Sequence, residues 1–179
     1  MSAETFLNDT WSVYFHDPED DRWDDDSYQL LCSISTMEEF VHLHRPLKEC
    51  WAKGMFFVMR EHIRPQWEDP HNRDGGCFSF KIMKEEVPSY WFELVSKVLG
   101  ETMLNPEYRD QWDNICGVSI SPKRSFCILR LWLSQQHFSD PAQYDFNAPL
   151  YTKIMFRPYT DNKDFMNALA AGDGGANCK

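Results

Sequence analysis

A chain of 179 residues with 42% apolar side chains can close a full hydrophobic core and most simply forms one domain. Its formal net charge of −10 excludes a protein that tracks a long phosphate backbone on a broad basic face. A mononucleotide or a nucleic-acid end, which needs only a few local cations, stays possible.

Residues 1–9 read as a loose lead-in. No early run has the pattern of a signal peptide, and none nears the ~20 apolar residues of a membrane span. Trp11 to Phe15 alternates as a strand, and Tyr28 to Ile34 as another. Between them, seven acidic residues from Asp17 to Asp26 are opposed only by Arg22. Like charges at that density resist compact structure, which predicts that Trp23 stays mobile until something holds it.

Thr36-Met-Glu-Glu39 has capping-box spacing and predicts a helix from about Met37 toward Leu43, burying Phe40 and Leu43 and ended or bent by Pro46. Gly54 to Met59 reads as a strand, followed by the proline-bounded loop Arg64-Pro-Gln-Trp-Glu-Asp-Pro70. Asn72-Arg-Asp-Gly-Gly76 is a turn, and Cys77 to Ile82 the next strand. Trp91, Leu94, Val95, Val98 and Leu99 mark a helix from about Pro88 to Met103, with Gly100 weakening its last turn. Ile115–Ser121 and Phe126–Leu133 pair around Pro122-Lys-Arg-Ser125, Thr152–Arg157 is a final strand, and 172–179 is a tail to a single domain over 10–171. Strands broken by a few helices, without βαβ spacing, predict an α+β fold with an antiparallel sheet backed by helices. Six cysteines scattered without a C-x-x-C pair suit a reducing compartment, the cytosol or nucleus.

Trp67 and Trp23 lie in polar loops. Either each ring covers the hydrophobic edge of its own loop, or the two clamp a flat ligand. A stacked base gains roughly 1–3 kcal/mol, and a cationic purine gains more from the indole face. Glu68 can accept from the N–H edge of guanine, a pattern adenine lacks. Asp69 is the poorer acceptor, because adjacent side chains rarely aim the same way. For phosphates, the stretch from Ile115 to Ser139 carries Lys123, Arg124 and Arg130 and no acid. Lys123 and Arg124 also fit an ordinary solvated turn. Strand parity puts Phe126, Ile128, Arg130 and Trp132 on one face, with Cys127, Leu129, Leu131 and Leu133 on the other.

These pieces resemble the eukaryotic translation initiation factor 4E family, the messenger-RNA cap-binding proteins. The resemblance runs over residues 10–133 through Trp11-Ser-Val-Tyr-Phe15, Trp23, Thr36-Met-Glu-Glu-Phe40, Pro65-Gln-Trp-Glu-Asp69 with Asn72-Arg-Asp-Gly-Gly76, Tyr90-Trp-Phe-Glu-Leu94 with Leu99-Gly-Glu101, and Ile115-Cys-Gly117 leading to Trp132. It implies a curved antiparallel sheet backed by about three helices, with the 7-methylguanosine cap on the concave face. In that reading Trp23 and Trp67 stack on the base, Glu68 pairs with it, and Trp132 touches the N7 methyl group. Lys123 falls at a phosphate-binding position. Ungapped counting puts Ile128 at the second, which shifts that role to Arg130 or Arg124. Arg157, Tyr159 and Lys163 are candidates for an extended or modified cap, or plain surface residues.

The resemblance also implies a convex docking face, at Met37, Val41, Phe92, Glu93 and Ser96, for initiation factor 4G or a 4E-binding protein. Val41 stands where tryptophan is characteristic and Ser96 where leucine is usual, which shrinks the apolar surface. It further implies a monomer within a heteromeric complex and no cofactor or metal. Ser139 to Pro149 is too short and proline-broken for the helix expected there. The rival readings are a protein-interaction module or a translational repressor working through partner proteins. An enzyme is disfavoured, since the six histidines form no H-E-x-x-H pattern and neither a P-loop nor a G-x-S-x-G is present.

Overall fold

The computed structural model describes residues 4–162. Seven strands form among them: β1 (Phe6–His16), β2 (Tyr28–Thr36), β3 (Met55–Arg60), β4 (Gly76–Met83), β5 (Ile115–Pro122), β6 (Phe126–Leu133) and β7 (Met155–Pro158). They make one curved sheet in the order β2-β1-β3-β5-β6-β4-β7, every neighbouring pair antiparallel. Two α-helices, α1 (Met37–Leu47) and α2 (Val87–Leu99), and a 3-10 segment over Pro106–Asn114 accompany it. Among the described residues α1 and α2 are the two complete α-helices, and the segment 139–149 forms no helix longer than a single 3-10 turn.

The main core lies on the helix-bearing side of the sheet. Cys127, Leu129, Leu131 and Leu133 of β6 join Trp91, Leu94, Val95, Val98 and Leu99 of α2 there, in agreement with the strand parity. Burying each such aliphatic or aromatic side chain stabilises the fold by about 1.5–3 kcal/mol. A second, smaller cluster sits on the opposite face, built from Phe57, Met59, Ile63, Cys77, Cys116, Trp132 and Tyr159. A sheet apolar on both faces takes up much of the chain's 15% aromatic content.

The helix starts follow from local chemistry. Thr36 Oγ1 accepts from the Glu39 amide at 3.2 Å, and Glu39 accepts from the Thr36 amide at 3.0 Å, which completes the capping box. α1 then runs past Pro46 to Leu47, because a proline in the last turn forfeits only one helical hydrogen bond. α2 stops at Leu99, short of Met103: Gly100 is its C-cap, and Glu101 follows at φ 57°.

Other boundaries also moved. β1 begins at Phe6, inside the anticipated lead-in, and Thr5 is tied to Glu38 by its amide at 2.9 Å and its hydroxyl at 3.1 Å. The final strand is Met155–Pro158, later than Thr152–Arg157. Gly75 is required by close approach, since a Cβ there would lie 1.8 Å from the Leu133 carbonyl oxygen. Lys163 and the tail at 172–179 lie outside the described residues.

Candidate functional site

Register places the concave-face residues in rows. Opposed residues on antiparallel strands point to the same face. One row runs Leu30–Tyr14–Phe57–Ser119–Arg130–Ser79–Met155 across all seven strands. The next row toward the Arg60 end holds Met59, Gly117, Trp132, Cys77 and Arg157. At the other end, Tyr28 lies opposite His16 and His16 opposite Met55, while Ser121 lies opposite Ile128 and Ile128 opposite Lys81.

Aromatic rings link across these rows. Trp23 stacks on His16 (centroids 4.2 Å apart, planes at 11°), and His16 meets Tyr28 edge-on at 5.1 Å. Tyr28 meets Phe57 at 5.5 Å, Phe57 meets Trp132 at 6.2 Å, and Trp132 meets Tyr159 at 5.5 Å. Trp67 is half-buried at the edge of this cluster, and its ring has no aromatic partner among the described residues. Trp23 is 56% exposed, with one face of its ring lying on His16.

The Trp67 loop is built by its polar residues. Asp69 is buried and accepts from the Arg64 amide at 3.1 Å and from the His71 amide at 2.9 Å. Burial works to raise the Asp69 carboxyl, but the amides of His71 and Arg64 outweigh it and hold it below the usual carboxylate range. Asn72 is buried too and donates to the carbonyls of Arg64 (3.1 Å) and Gln66 (2.8 Å). With Asp69 turned inward, Glu68 is left exposed. The Arg64 guanidinium bridges to Asp25 at 2.9 Å and so ties this loop to the Trp23 loop. Burial, with the charges of Glu68 and Asp25, pushes the Tyr28 phenol up to about 12.

Lys123 and Arg124 are exposed in the β5–β6 turn, which the Lys123 amide closes on the Phe126 carbonyl at 2.8 Å. Arg130 is half-buried on the concave face. The register adds a cation that the sequence reading missed. Lys81 is exposed directly across from Ile128, its Nζ 4.6 Å from the Phe126 ring centroid, and no carboxylate pairs with it among the described residues. Arg157 is exposed and donates to Asn162 at 3.0 Å. Tyr159 is buried at 5% exposure against Trp132, so the expectation that it reaches an extended ligand fails in this arrangement. Trp132 is only 7% exposed, and its Nε1–H donates to Ser119 Oγ at 2.9 Å, which makes it floor rather than rim.

The model of the eukaryotic initiation factor 4E family matches residues 6–157. The chain belongs to this family. It is 29% identical over 134 residues to eukaryotic translation initiation factor 4E of Eremothecium gossypii, covering 70% of this chain and 61% of that protein. It is 31% identical over 112 residues to initiation factor NCBP of Oryza sativa, covering 60% of this chain and 46% of that protein. The chain thus spans about half to three fifths of these relatives. A Caenorhabditis elegans eIF4E-3 in complex with the 4E-binding protein Mextli and a cap analog shares the fold (TM-score 0.75, 18% identity, 90% of this chain and 96% of that one). So does a schistosome eIF4E complexed with m7GpppA and 4E-BP (TM-score 0.73, 21% identity, 91% and 92%).

On the convex face of this 4E-family member, α1 and α2 meet through Phe40 and Phe92, stacked 5.5 Å apart at 13°. Met37, Val41 and Phe92 are half-buried there. Ser96 Oγ is buried without a hydrogen-bond partner among the described residues, at the position where leucine was expected. Glu93 is not free: Lys97 pairs with it at 2.8 Å, and Asn147 donates to it at 2.9 Å. Asn147 belongs to a strap formed by the segment that was too short for a helix. The Tyr90 hydroxyl donates to the Phe146 carbonyl at 2.5 Å, and Lys97 Nζ reaches the Asp145 carbonyl at 3.1 Å. The strap thus joins α2 to the sheet, since its buried Tyr144 and Phe146 also meet Phe78 and Phe80 of β4 edge-on.

Proposed function

We propose that this protein binds the 7-methylguanosine cap of messenger RNA and places capped messages beside the translation machinery in the cytoplasm. Trp23 and Trp67 stack on the cationic base, and Glu68 accepts from its N–H edge. Lys123, Arg124, Arg130 and Lys81 meet the phosphates, with Arg157 beyond them on the same face. Trp132 forms the floor. A 4G-like scaffold or a 4E-binding protein docks on the convex face around Met37, Val41 and Phe92, with Glu93 and Ser96 contributing less than their positions suggest. No bond is made or broken.

One observation carries the reading: an exposed indole and a half-exposed one, on loops joined by the Arg64–Asp25 bridge, share the concave side with an exposed carboxylate and with cations that have no acidic partner among the described residues. Family membership supports it. The test is tryptophan-fluorescence titration with 7-methyl-GTP, with GTP in parallel. Saturable quenching that favours the methylated ligand supports the clamp. Equal responses to both, or none, reject it.

A further inference from the structure

We propose that His16 is a positioning residue that sets Trp23 for stacking before any ligand arrives; this rests on the cap-binding reading above. His16 closes β1 and points to the concave face, opposite Tyr28 and Met55. It is fully buried, while the indole lying parallel on it at 4.2 Å is 56% exposed. The imidazole thus covers one face of Trp23 and leaves the other to solvent.

A second contact acts on the backbone. His16 Nε2 lies 2.8 Å from the carbonyl oxygen of Arg22, the residue before Trp23. A carbonyl only accepts, so the proton sits on Nε2. The same ring therefore fixes the loop backbone at one residue and the side chain at the next. Nδ1 is buried without a hydrogen-bond partner among the described residues, an unfavourable arrangement that an apolar ring at this position would avoid.

The rest of the loop has few means of ordering the indole. Apart from the exposed Arg64–Asp25 bridge, which lies two residues beyond Trp23, and a more distant tilted contact of the indole with Tyr28 at 6.4 Å, its described contacts are local turns: Arg22 on Asp20 at 2.8 Å and the Ser27 amide on Asp24 at 3.1 Å. The neighbouring acids repel one another. Without His16, ligand binding would have to order the indole as well as contact it, and that ordering weakens affinity. The charged and titratable groups around the imidazole are Asp20 and Arg22 on the loop and Tyr28 on β2. The structure assigns a layered order to the site: His16, then Trp23, then the base.

A double-mutant cycle tests the assignment with two readouts. In ligand-free protein, iodide quenching of tryptophan emission, referenced to Trp23→Phe, should rise in His16→Ala and fall back part of the way toward the wild-type level in His16→Phe. Affinity for 7-methyl-GTP should fall roughly three- to tenfold in His16→Ala, the effect of ordering one free side chain. His16→Phe should recover part of the loss, because the stacking face survives while the Arg22 carbonyl loses its donor. In a Trp23→Ala background, His16→Ala should cost nothing further. Additive losses in that background, or a His16→Phe variant as weak as His16→Ala, would overturn the proposal. If wild-type protein binds no 7-methyl-GTP, the cap reading fails, and the iodide arm still reports whether His16 positions Trp23.

Discussion

Glu68 and Asp69 are neighbours in sequence with opposite environments. Asp69 is 3% exposed and occupied by backbone amides, whereas Glu68 is exposed beside Trp67. That division was legible in the sequence, because consecutive side chains on a short loop diverge. It makes Glu68→Gln a clean probe: exchanging a charged acceptor for a neutral one should cut the preference for 7-methyl-GTP over its adenosine analogue about tenfold, measured by paired titrations. An unchanged preference would remove Glu68 from the site. Lys81 was not legible, since nothing local marks a strand lysine as facing Ile128; only the β4–β6 register does. For Lys81→Met, the affinity gained between 7-methyl-GMP and 7-methyl-GTP should shrink about threefold, with a flatter salt dependence. Lys81→Arg should restore both. Equal weakening toward the two nucleotides would instead mean that Lys81 supports the fold. The burial of Tyr159 was not legible for the same reason, since the sequence shows an aromatic residue and not the ring packed on it.

The loop from Arg64 to Gly75 behaves as a unit held by Asp69 and Asn72. Asp69→Ala leaves the Arg64 and His71 amides without their acceptor, which should destabilise the protein by about 2 kcal/mol and raise the exposure of Trp67. Urea melts and the Trp67 emission maximum report the two effects. The pH behaviour follows from the direction of the shift. The folded Asp69 carboxyl titrates below its unfolded value, so its stabilisation is fully present above about pH 4 and is lost as pH falls through the folded value. Wild type should therefore keep a protected Trp67 at pH about 5, while Asp69→Ala loses it at neutral pH. Equal protection of Trp67 in both proteins would count against the staple. The loop's existence was legible from its prolines and its Gly-Gly turn. The strap over α2 was not. Its residues carry no periodic pattern, and its position depends on the Tyr90, Glu93 and Lys97 side chains that receive it.

Across the whole molecule, strand parity gave the right layer order, because one face of β6 is wholly apolar and the other carries Ile128, Arg130 and Trp132. What composition could not show is that a histidine lies within the helix-side core. His44 of α1 is 8% exposed; Trp51 Nε1–H donates to its Nδ1 at 3.0 Å, and Phe92 of α2 lies 4.8 Å away. It thereby joins both helices to the segment that enters β3. Burial, aided by the Lys48 charge, lowers its pKa below the ordinary histidine value. The neutral ring is the form that can accept from Trp51, and protonation on Nδ1 would turn that acceptor into a donor facing another donor. With the folded pKa depressed, the unfolded chain binds a proton first as pH falls. Global stability is therefore full above about pH 6.5 and declines as pH drops toward the folded value. His44→Gln retains an acceptor and does not titrate. Its loss at pH about 8 should be small, on the order of 1 kcal/mol, and the stability difference from wild type should narrow as pH falls to about 5. Denaturant melts at several pH values measure this directly. A difference constant with pH would mean that His44 packs in the core without coupling the fold to protons.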